Sequence, residues 1–293
     1  MSSLKPPTNA QHLRTLLTQW SKEPDAQSYG RLQRLVGVVV VAAMLDGLRG
    51  PDGNERIGYK GGVALELRFG FSARASKDLD AAYRGEIDDA LELMDDALRS
   101  GWNGFTGKLG DREDILRAGI DPPPVRVRIS LSYVGKHFMS IPFELSRAEG
   151  RSLDTPDKLP PAVSLAPARL PDPSDGITFL PLRYQIAQKL HACTEPSTEE
   201  RANGRARDLH DLLLIEELGV EDDHLPAVRE ACVEIFAGRG KHTWPPQVTA
   251  PPGWGPIWDA LRESEGLTLT LPEAIANVST LVAPIDSAAS AGA

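Results

Sequence analysis

Apolar residues recur at helical spacing between residues 30 and 48, where Leu32, Leu35, Val36, Val39, Val40, Ala43 and Met44 share a face, so the periodicity predicts a long apolar helix. The run Val38–Val41 also suits a strand, but the length of the segment and the Ala42-Ala43-Met44-Leu45 stretch favour helix. Upstream, Asn9 is placed to cap a helix from Ala10 to about Trp20. Short strands are expected over Arg56 to Lys60, Asp78 to Tyr83 and Trp102 to Leu109, with an amphipathic helix from Ile87 to Leu98 stopped by Gly101. Val125, Val127, Ile129 and Leu131 alternate with polar residues, as in a strand buried on one side. A turn at Gly135-Lys136 then leads into a strand from Phe138 to Leu145. From about residue 152 to 181 proline and serine are frequent, which reads as a loop or linker. Helical patterns follow over Leu182 to Cys193, Arg207 to Leu218, His224 to Ala237, Pro256 to Glu263 and Pro272 to Val282.

The pattern divides the chain into an α/β lobe with N-terminal helices (1–150), a Pro/Ser-rich linker (151–180), a mainly helical lobe (181–285) and a low-complexity tail expected to be disordered (286–293). A cleft between a mixed lobe and a helical lobe is the natural place for a site. Composition changes this picture little. The 293 residues carry a formal charge of −9, which excludes a generic nucleic-acid coat but not a nucleic acid held in a local basic cleft. Cys193 and Cys232 are far apart, so no zinc pair is expected and a reducing compartment fits. No secretory leader or membrane span is read, and a cytoplasmic protein is expected.

Chemistry concentrates in Tyr59 to Tyr83, YKGGVALELRFGFSARASKDLDAAY. Gly61-Gly62 opens a helix-compatible run, where backbone N–H groups can approach an anion. Asp78 and Asp80, two apart on a strand, point the same way, and close carboxylates of this kind suit Mg²⁺. If the Asp78 strand pairs with the strand from Phe138 to Leu145, Glu144 joins them, unless it is simply a solvated strand end. Lys60 either holds phosphate or only flanks the strand. Ser76 is placed to cap the turn before Asp78. In the second lobe, Lys189 stands at the edge of the buried face of QIAQKLHA, and His191 is read as structural. Asp208 and Asp211 in RARDLHD share a helix face, beside Arg205 and Arg207.

The GG, then a gap, then DLD resembles the first motif of DNA-polymerase-β-type nucleotidyltransferases. KGGVALELRFG, SKDLD, KLHA and RARDLHDL together resemble the AbiEii/MenT family, the toxins of AbiE-type toxin–antitoxin pairs. The resemblance runs from about Arg31 to Phe236 and implies a nucleotidyltransferase-like mixed sheet flanked by helices. It departs from the common pattern at Val63, where many members carry a hydroxyl. It implies two Mg²⁺ ions on Asp78, Asp80 and Glu144, and an NTP held by Lys60, Gly61, Gly62, Lys189, Arg205 and Asp208. Asp80, Lys189 and Asp211 are the residues it makes essential. The acceptor it implies is the 3′ end of tRNA, with CTP or UTP as donor, and Arg126, Arg128, Arg183, Arg201 and Arg207 are candidates for the RNA path. The implied partner is a cognate antitoxin similar to AbiEi or MenA, acting by binding or by phosphorylating Ser76. A monomer without membrane contact is expected. Transfer to a protein hydroxyl, and a nucleotide-binding module without catalysis, remain open beside this reading.

Overall fold

The computed structural model describes residues 5–50, 53–116, 122–199, 202–219 and 224–288. Its contacts divide the chain into two compact units, Met1–Leu180 and Pro181–Ala293.

The first unit begins with α1 (Ala10–Trp20), whose N-cap Asn9 accepts a hydrogen bond from the His12 N–H at 2.9 Å. α2 (Tyr29–Leu45) is capped by Ser28, and Val38 to Val41 are almost wholly buried within it. A helix apolar all round is at home inside a core, and that burial overrides the strand preference of four valines. β1 (Ile57–Lys60) leads directly into α3 (Gly61–Phe69), and β2 (Leu79–Tyr83) and α4 (Ile87–Ser100) follow. Next come β3 (Phe105–Leu109), the short β4 (Glu113–Asp114), β5 (Val125–Tyr133), β6 (Lys136–Arg147), β7 (Asp157–Leu159) and β8 (Ile177–Phe179).

Among the described residues these strands form one mixed sheet in the order β3-β5-β6-β2-β1-β8-β7, with β4 on β5. The pairs β2–β6 and β1–β8 are parallel and the others antiparallel. One sheet face carries Leu79, Ala81, Tyr83, Val125, Val127, Ile129 and Phe143, all buried in the core with α2 and α4. The other carries Lys60, Asp80, Arg126, Arg128 and Glu144, which keep access to water. A sheet with one apolar and one polar face is the alternation the sequence displays.

Two expectations need correction. The stretch from 151 to 180 is not a linker throughout, because β7 and β8 pair with each other and β8 pairs with β1. Its prolines and serines fall mostly in the connections between those strands, where no ladder hydrogen bond is lost. The tail expected from residue 286 is helical through Ser287, and residues 289–293 lie outside the described residues.

The second unit is built from α5 (Leu182–Thr194), α6 (Ala206–Gly219), α7 (Leu225–Arg239), α8 (Trp254–Glu265) and α9 (Leu271–Ser287). α5 packs on α6 and α7, and α6 on α8 and α9. Among the described residues no helix is long and apolar enough to cross a membrane.

Candidate functional site

Within the first unit, sheet register assembles a row of charge. Lys60 is opposite Asp80 across β1 and β2, Asp80 is level with Glu144 across β2 and β6, and Glu144 is opposite Arg126 across β6 and β5. Glu113 of β4 extends the row beyond Arg126. Cross-strand partners project from the same face, so Asp80 and Glu144 stand side by side. Like charges so placed are unfavourable without a cation nearby. Lys60 donates from Nζ to the Ser146 hydroxyl at 2.7 Å, one step along the same face. The Arg126 guanidinium donates to Glu144 Oε1 through Nε at 3.1 Å and also through Nη2. That hydrogen bonding to Glu144, joined by the fields of Glu144, Glu113 and Asp78, raises the Arg126 pKa. Asp78 lies just before the first residue of β2.

The two glycines have separate tasks. Gly61 has φ +71° at the start of α3, and a Cβ there would run into Asp80 Oδ2 and lie 3.2 Å from Asp80 Cγ. The Asp80 carboxylate therefore rests against the bare backbone at Gly61. A Cβ on Gly62 would lie 3.0 Å from both Cβ and Oγ of Ser76 and 3.1 Å from an Arg74 guanidinium nitrogen. The N-cap residue of α3, Lys60, makes no side-chain cap hydrogen bond, and the first turn of the helix points backbone N–H groups out of its start.

The segment joining α3 to β2 is fastened by Arg31 of α2. This guanidinium donates to Glu66 at 2.8 Å, to Gln27 at 3.0 Å and to the Ala73 carbonyl, and it covers the Phe71 ring at 5.2 Å. Glu66 is only 1% exposed and also takes Arg34. The sequence reading passed over Arg31, Arg34, Glu66 and Arg74. Glu66 did leave a signal, being a charge set between Leu65 and Leu67 in an apolar helix.

The second unit holds a different constellation. The Asn203 side chain donates to the Ala192 and Glu195 carbonyls, at 3.0 and 2.7 Å, at the end of α5. Its amide oxygen accepts from the Arg205 N–H at 2.9 Å, just before α6 begins. This clamp sets α5 against α6, and Lys189 Nζ reaches Asp208 at 3.1 Å and Asp211 at 2.6 Å. Arg205 Nε holds the other oxygen of Asp208 at 2.6 Å, and His210 stands 3.7 Å from Asp211. Lys189, Asp208 and Asp211 are all buried. His191 is also buried, packed on the Phe236 and His242 rings. Arg128 and Arg207 are exposed, Arg183 is half-buried over the Tyr184 ring, and Arg201 lies outside the described residues.

Register thus brings Lys60, Asp80, Glu144 and Arg126 together, and helix packing brings Lys189, Asp208 and Asp211 together. Among the described residues no three His, Cys, Asp or Glu side chains gather closely enough to hold a metal. Glu144 is turned to Arg126. The donor set nevertheless fits a hard divalent cation: it is all carboxylate oxygen, level across two strands, on the polar face.

Residues 54–275 match the family described as the nucleotidyl transferase AbiEii toxin of type IV toxin–antitoxin systems. Among curated proteins none matches the chain. The fold is similar to that of MenT4, a nucleotidyltransferase toxin from Mycobacterium tuberculosis H37Rv, with a TM-score of 0.58, 17% identity and coverage of 94% of this chain and 90% of that one. A candidate nucleotidyltransferase from H. pylori aligns at a TM-score of 0.47 and 17% identity over 89% of this chain and 96% of that one, which is too distant to add to the argument. The matched segment makes up most of the chain and takes in residues of both units, and so the chain belongs to the AbiEii family of nucleotidyltransferase toxins of type IV toxin–antitoxin systems.

Proposed function

We propose that this transferase moves a nucleoside monophosphate from an NTP, CTP or UTP by preference, to the 3′ end of tRNA in the cytoplasm, and so blocks translation until its antitoxin intervenes. The observation that carries the reading is the level pair Asp80 and Glu144, with Asp80 against the bare backbone of Gly61. Asp78, Asp80 and Glu144 are the residues that would hold Mg²⁺. When bound, the cation supplies Lewis-acid polarisation of the phosphate and neutralises charge on the departing pyrophosphate. The backbone N–H groups at Gly61 and Gly62 take phosphate oxygens, and Lys60 adds a cation at the same end of the row. The acceptor hydroxyl oxygen bonds to the α-phosphorus, the bond to the bridging oxygen breaks, and the hydroxyl proton passes to a carboxylate of the row.

Within the second unit we assign phosphate binding to Lys189, with Asp211 and Asp208 orienting its ammonium and Arg205 bracing Asp208. Arg128, Arg183, Arg201 and Arg207 are assigned to RNA phosphates. Ser76 packs against Gly62, so a phosphate on it would bring negative charge to the helix start that the NTP needs. An antitoxin kinase acting there would silence the toxin, and an antitoxin similar to AbiEi or MenA is the expected partner.

Purified protein is incubated with bulk tRNA and each labelled NTP in turn. Label on the tRNA 3′ end with CTP or UTP, lost in Asp80→Asn, is the expected result. Label on protein would favour nucleotidylation of a protein hydroxyl, and tight NTP binding without transfer would favour a binding module. Either outcome overturns the tRNA reading.

A further inference from the structure

We propose that Arg126 is the resident counter-cation of Glu144 and yields that carboxylate when a divalent cation binds, so that Arg126 sets the cation concentration at which the site loads. The inference rests on the metal reading given above. Its first support is register: Arg126 and Glu144 are direct antiparallel partners, and two guanidinium N–H groups converge on one Glu144 oxygen. A second support is the balance of charge. The guanidinium answers to Glu144, to Glu113 at 3.9 Å and to the field of Asp78, while Asp80 is level with Glu144 on the next strand. The Arg126 charge thus offsets repulsion among Glu144, Glu113 and Asp78.

Exposure supplies the third support. The Arg126 side chain is 42% exposed and that of Glu144 17%, so the arginine can swing into water while the carboxylate stays in place. The guanidinium keeps its charge at any working pH, so the exchange responds to cation concentration and not to protonation. In this reading Arg126 is a positioning residue for Glu144, distinct from the arginines assigned to RNA.

The test measures Mn²⁺ binding to the full chain, without nucleotide or RNA, by titration calorimetry and by the loss of the free-ion electron paramagnetic resonance signal. Arg126→Gln removes the competing charge and is expected to tighten Mn²⁺ binding roughly tenfold, the order expected from deleting one positive charge several ångströms from a divalent ion in a wet site. Arg126→Lys keeps the charge and is expected to stay near wild type, which guards against misfolding as the cause. In a Glu144→Gln background the gain from Arg126→Gln is expected to shrink, because competition for the carboxylate is gone and only the through-space repulsion between guanidinium and cation remains. Equal or weaker binding by Arg126→Gln overturns the inference if the wild type binds Mn²⁺ and Asp80→Asn abolishes that binding, and the metal reading then survives. No Mn²⁺ binding by wild type or by Arg126→Gln overturns both.

Discussion

Replacing Lys189 with alanine should destabilise the protein well before its effect on transfer can be read. The ammonium sits 2.6 Å from Asp211 and 3.1 Å from Asp208, with side-chain exposures of 7% for Lys189, 1% for Asp211 and 5% for Asp208. After the substitution Asp208 keeps Arg205 at 2.6 Å, whereas Asp211 loses the ammonium and stays buried. Removing one partner of a buried ion pair costs about 3–5 kcal/mol, because the remaining charge stays desolvated with its strongest partner gone. At about 4 °C per kcal/mol for a unit of this size, the thermal midpoint should fall by about 10–20 °C. Circular dichroism melts of wild type, Lys189→Ala, Asp211→Asn and the double variant measure this. The double variant should be less unstable than the sum of the singles by about 1–3 kcal/mol, the coupling expected of residues in contact. A Lys189→Ala midpoint within about 2 °C of wild type would refute the ion-pair argument, since a shift that small is under 1 kcal/mol. Transfer assays on Lys189→Ala are informative only below the lowered midpoint.

Gly61→Ala forces a left-handed residue to carry a Cβ, at about 1–2 kcal/mol, and displaces Asp80, so transfer should be lost along with a small fall in midpoint. Gly30→Ala, in a helix with open space around the new Cβ, should keep activity and raise stability by about 0.5–1 kcal/mol. Glu66→Gln leaves Arg31 and Arg34 without the buried charge they share and should cost about 3 kcal/mol, read by urea denaturation. His242 has its pKa lowered, first by burial, so the fold favours the neutral ring. The unfolded chain then binds the proton more readily. Stability from this group is present above the ordinary histidine range and is lost as pH falls through the lower folded value. The midpoint should therefore drop more steeply on acidification in wild type than in His242→Gln, and equal slopes would remove His242 as the cause.

Much of this protein was decided locally. The alternation of Val125, Val127, Ile129 and Leu131 marks β5, the cap at Asn9 starts α1, and the i, i+3 spacing of Asp208 and Asp211 turns both toward one neighbour. Each of these depends on residues a turn or a pleat apart, which is the range over which side-chain periodicity carries information. What the tertiary structure alone decided is non-local. The four valines of α2 are helical because the surrounding core covers them on every side. β8 joins the sheet out of a proline-rich stretch because β1 offers it an edge. Level pairing of Asp80 with Glu144 depends on parallel β2–β6 register, and a slip of one residue would send Glu144 to the apolar face. The partners that hold Glu144 and Lys189 lie on the adjoining strand and helix, 18 to 22 residues along the chain, which is beyond the reach of local periodicity.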